Sequence, residues 1–85
     1  MITFSQRFNF EEDFITFYFN FCTTNESAYY IVSVVDRESK TYIFHMKEHT
    51  GKWVLTNPEK CPRWIVEMEH QLSDIILQHG SSQTT

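Results

Sequence analysis

Along the chain the spacing of hydrophobic residues changes once. From Phe14 to Thr56 they recur at every second position within segments parted by polar clusters, and from Pro62 to His79 they recur at steps of three and four. The first spacing belongs to strands and the second to one face of a helix. Residues 14–22, FITFYFNFC, place Ile15, Phe17, Phe19 and Phe21 on one side and Thr16, Tyr18 and Asn20 on the other. A helix competes for the same segment, because Phe10, Phe14, Phe17 and Phe21 lie four, three and four apart. The strand is preferred: Phe, Tyr, Ile and Thr crowd the segment and strong helix formers are nearly absent.

Further strands are expected at Ala28–Asp36, Thr41–Glu48 and Lys52–Thr56. TTNES (23–27), RESK (37–40) and HTGK (49–52) turn the chain, with Gly51 free to take a positive φ. Ile2 to Phe10 alternates less cleanly and reads as an edge strand or as a strand continuous with the next. Trp64, Ile65, Met68, Leu72, Ile75 and Ile76 form the helix stripe, with Pro62 suited to the first helical position and Gly80 to the place just past the end. The expected fold is α+β: an antiparallel meander of four strands, or five with the first segment, and one C-terminal amphipathic helix packed on one face. Residues 1–79 form one domain and GSSQTT (80–85) a flexible tail.

With one helix, one face of the sheet is left uncovered. Thr16, Tyr18, Tyr29 or Tyr30, Ile43, His45 and Val54 are its candidates, and a wet face would alternate more cleanly to polar. Of these, Tyr18, Tyr29, Ile43, His45 and Val54 are the candidate protein-interaction residues.

Composition narrows the function. The chain has 85 residues, 41% hydrophobic, 21% charged and 16% aromatic, and a formal net charge of -4. A chain of this length supports one core. The negative charge argues against non-specific phosphate binding. No apolar run is long enough for a membrane span, and MITFSQRFNFEED lacks the pattern of an export signal. The expected location is therefore cytoplasmic, with Cys22 and Cys61 as free thiols and Asn25-Glu26-Ser27 without meaning as a glycosylation acceptor.

No catalytic constellation emerges. His45 and His49 are two imidazoles four apart where zinc needs three or four ligands, and the other donors, Cys22, Cys61, His70 and His79, stand alone in their segments. Cys61, just ahead of Pro62, could gain thiolate character from a helix N-terminus, although buried inert cysteines are commoner. Glu11-Glu12-Asp13 reads as a solvated turn. There is no phosphate-binding glycine loop, nucleophile elbow or H-E-x-x-H. Neither an enzyme, a cofactor nor a metal is expected.

The order strand–strand–strand–strand–helix resembles the repeat of the PUR family, in element order over most of the chain and without a shared motif. That resemblance implies binding of single-stranded nucleic acid through basic, aromatic strands, for which Arg37, Lys40, Lys47 and Lys52 are the available cations. The leading expectation is a small non-catalytic domain that binds protein, most simply itself as a homodimer, through the open sheet face or an edge strand. Nucleic-acid binding is the alternative, as is an acidic inhibitor or immunity-type protein docking on a basic partner.

Overall fold

A computed structural model describes residues 3–10 and 13–83 of the chain. Five antiparallel strands follow one another as a meander, β1 (Thr3–Phe10), β2 (Asp13–Thr23), β3 (Ala28–Val35), β4 (Thr41–His49) and β5 (Lys52–Leu55), in the spatial order β1-β2-β3-β4-β5. The sheet curls into a half-barrel with the C-terminal helix packed against it. A single 3-10 turn (Pro58–Lys60) leads from β5 into α1 (Arg63–Glu67) and α2 (Glu69–Gln83). Residues 14–22 are strand rather than helix, and the first segment is the edge strand β1 paired with β2 over its whole length.

Register explains why the aromatic row is the core. Phe19 faces Phe4 on one side and Val32 on the other; Phe17 faces Val34, Phe21 faces Tyr30, and Val32 faces Phe44. Directly opposed residues share a face, so a one-residue slip would turn this whole set to solvent. Phe17, Phe19, Val32, Val34 and Met46 are fully buried, and Ile65, Met68, Leu72 and Ile76 of the helix close over them. The rings interlock: Phe4 stacks on Phe19 with centroids 4.7 Å apart, Tyr30 meets Trp53 edge-on at 5.0 Å, and Trp64 meets Tyr42 at 5.8 Å. Such offset and edge-on pairs add to the burial term.

The helix departs from the simplest expectation in three places. Pro62, extended at φ -64 and ψ 155, precedes the first helical residue instead of occupying it. The helical stripe is interrupted at Met68, whose φ of -92 and ψ of 0 tighten the turn between α1 and α2. Both pieces nonetheless turn Ile65, Leu72 and Ile76 toward the sheet, while Leu77 is exposed. Helical backbone also continues to Gln83, so Gly80 lies within α2 rather than past its end. Residues 84–85 of the expected tail lie outside the described residues.

The turns are built from local chemistry. Asp36 Oδ1 accepts from the amides of Glu38 and Lys40, both at 2.9 Å, while Ser39 takes a φ of 66 to complete the β3–β4 hairpin. At the β4–β5 hairpin His49 pairs with Lys52, leaving Thr50 and Gly51 as a two-residue turn with φ of 51 and 85. Two positive φ values in succession are the type I′ turn that suits the twist of paired strands. Gly51 takes its value freely, but Thr50 is β-branched and strained there. Thr50→Asn is expected to stabilise the domain by about 1 kcal/mol, read as a higher denaturant midpoint with an unchanged slope. An unchanged or lower midpoint would count against strain at this residue.

Candidate functional site

Alternation along the strands carries Tyr18, Tyr29, Ile43, His45 and Val54 to the face away from the helix. Tyr18 and Ile43 flank Ser33 in one cross-strand row, Tyr29 and Val54 flank Lys47 in another, and Ile31 lies opposite His45 between them. Ile43 is 67% exposed and Tyr18 50%, whereas Tyr29 and Val54 are half-buried. The exposed His45 ring lies 5.3 Å from that of Tyr29. Tyr30, the other tyrosine of the pair, is core and only 3% exposed, with burial raising its phenol pKa.

Two further apolar side chains share this face, Phe14 at 64% exposure and Val35. Sequence reasoning missed both, although parity alone places Phe14 with Thr16 and Tyr18. The Arg7 guanidinium lies 4.8 Å over the Phe14 ring.

The two edges of the sheet differ. Along β5 the amide of Trp53 donates to Ser73 Oγ at 2.9 Å, and the amide of Leu55 donates to Glu69 Oε2 at 2.8 Å. Alternate amides of a strand are about 6.8 Å apart, and side chains one helical turn apart, at i and i+4, are about 6 Å apart. The helix can therefore cap two successive outward amides of β5. Ser73 is buried at 4% exposure for this reason. No strand among the described residues pairs with the outer edge of β1.

The candidate cations fall into two pairs. Arg37 and Lys40 sit at the β3–β4 turn, where Arg37 meets Asp13 at 3.4 Å and the Lys40 ammonium lies 5.2 Å over Tyr42. Lys47 and Lys52 lie toward the other end of β4. Seven residues of extended strand, roughly 24 Å, part Lys40 from Lys47. Glu11 and Glu12 of the acidic cluster lie outside the described residues.

Cys22 and Cys61 are free thiols. Cys61 follows a 3-10 turn and precedes an α1 of only five residues. Burial pushes its thiol pKa up, and the nearby Glu59 carboxylate pushes it the same way, so the thiolate character a helix N-terminus could have given is absent. Alkylation of Cys61 by iodoacetamide is expected to be slower at pH 7.5 than that of an unhindered thiol, to reach half its maximum rate at a higher pH, and to shift back partway in Glu59→Gln. Peptide mass spectrometry separates it from Cys22, and a midpoint below that of the free amino acid would contradict this.

Among the described residues no three His, Cys, Asp or Glu side chains converge as metal ligands. A cleft of about 170 Å³ lies between Ile43, His45, Asn57, Lys60 and Cys61, smaller than the roughly 300–1,000 Å³ of small-molecule pockets. No helix among the described residues is long and apolar enough to cross a membrane. Comparison of the chain with protein-family models, curated proteins and solved structures finds no match. The fifth strand, β1, also departs from the four-strands-then-helix order of PUR repeats.

Proposed function

We propose that the chain is a small non-catalytic interaction domain that associates with a second copy of itself through the part of its sheet the helix leaves uncovered. The observation that carries this reading is that the helix leaves uncovered both the outer edge of β1 and the face that exposes Ile43, Tyr18, Phe14 and Val35. Scattered apolar residues are ordinary on a surface, but apolar groups gathered on one face mark a contact. The separation of Arg37 and Lys40 from Lys47 and Lys52 favours protein over nucleic acid as the partner, because a single-strand groove needs cations along one track. Two free thiols suit a reducing compartment, so action in the cytoplasm belongs to the same proposal.

Light scattering across a concentration series tests the reading. The expected result is a mass that rises from 10.2 kDa toward twice that value as concentration increases. A mass fixed at that of one chain at the highest concentration would overturn it.

A further inference from the structure

Resting on the self-association reading, we propose that the second copy adds its own β1 to the outer edge of β1, antiparallel about a two-fold axis through Gln6, so that two five-stranded sheets become one. An open strand edge presents unpaired backbone donors and acceptors whose natural partner is another extended strand. Proteins guard such edges with proline, bulges, charges or a covering element. In this chain α2 covers β5 through Ser73 and Glu69. Among the described residues the outer edge of β1 has none of these guards. It pairs with β2 in unbroken register, it contains no proline, and its one charge, Arg7, is drawn back over Phe14.

The sequence of β1 selects the register. A two-fold axis normal to the sheet sets each residue opposite one of the same parity, which keeps both helices on one side. An axis through Arg7 would oppose two guanidinium groups, an unfavourable cross-strand pair. An axis through Gln6 opposes Phe4 to the partner's Phe8 on the helix side, and Ser5 to the partner's Arg7 on the other. Phe4 and Phe8 are both half-buried at the edge, with Phe4 already stacked between Phe19 and the His79 ring, 3.7 Å away. Each gains apolar cover from the partner's ring. The Gln6 amide, which donates to the Arg7 carbonyl at 3.1 Å on the exposed surface, gives way to a backbone donor.

Charge points to the same place. The chain carries a net charge of -4, yet β1 holds no acidic residue, so two copies repel least along this edge. A contact confined to one eight-residue edge is small beside the roughly 1,200–2,000 Å² of stable interfaces, and the dimer is accordingly weak and concentration-dependent.

Ser5 is exposed, so its replacement leaves the thermal melt unchanged and reports on association alone. In sedimentation velocity Ser5→Glu is expected to tighten the dimer several-fold by facing the partner's Arg7, and Ser5→Lys to loosen it. Association driven only by net charge predicts the reverse order for this acidic chain. In a Cys22→Ser, Cys61→Ser background, Gln6→Cys should crosslink to a dimer with a short bis-maleimide, and Ile43→Cys should not. A dimer indifferent to both Ser5 changes, or crosslinked through Ile43→Cys alone, overturns the edge while self-association stands. Wild-type protein that stays one chain at every concentration overturns both.

Discussion

Replacing Phe19 with alanine is expected to leave the domain barely folded. Phe19 has no exposed surface, stacks on Phe4, and sits at the centre of the sheet between β1 and β3. Truncating a buried Phe costs about 3–5 kcal/mol, a large part of the roughly 5–15 kcal/mol that holds a small domain together. Phe14→Ala, five positions earlier on the opposite face, should change the melting temperature little, since that ring is mostly exposed. The contrast is diagnostic. A helical segment would make Phe14 the severe site, and a ligand-stacking row would make Phe19 mild. Thermal melts of the two variants measure it, and a mild Phe19→Ala would be incompatible with the core described above.

Removing the helix caps from β5 should be nearly as damaging and should also change how the protein associates. Glu69→Ala with Ser73→Ala leaves the Leu55 and Trp53 amides without partners at a part-buried site. An orphaned amide costs about 1–3 kcal/mol, so the pair is expected to cost about 2–6 kcal/mol. The double variant also exposes a second strand edge. With β5 open as well, dimers joined β1 to β1 are expected to join further, β5 to β5, into larger species. Urea unfolding and light scattering read the two effects separately. A double variant of native stability and unchanged mass would show that the caps do not guard the edge.

Much of this architecture was legible because most strands alternate over one helical layer. Phe17, Phe19, Tyr42, Phe44 and Met46 repeat at period two, and Trp64 to Ile76 at three and four. The competing four-three-four spacing of Phe10, Phe14, Phe17 and Phe21 was a coincidence of an aromatic-rich segment, in which Phe14 belongs to the open face. β1 was harder because Gln6 stands between Phe4 and Phe8 on the inner face, where an edge strand tolerates a polar residue. Glu69 and Ser73 are polar and lie outside the apolar stripe of the helix, so the sequence pattern alone does not single them out. Their role depends on the match between a helical turn and the strand repeat, which appears only once α2 lies along β5. Gly80 failed as a stop signal because a local preference yields when the helix continues beyond it. The open-face residues followed from parity, whereas the grouping of the four cations did not, since hairpins at opposite ends of β4 place neighbours in sequence far apart in space.

Amide hydrogen exchange at low and high protein concentration tests the account most directly. The amides of Trp53 and Leu55, held by Ser73 and Glu69, should be protected at both concentrations. The outward amides of β1 should exchange rapidly in dilute solution and slow markedly when the protein is concentrated, as a second copy pairs with them. Exchange in β1 that is the same at every concentration would contradict the account.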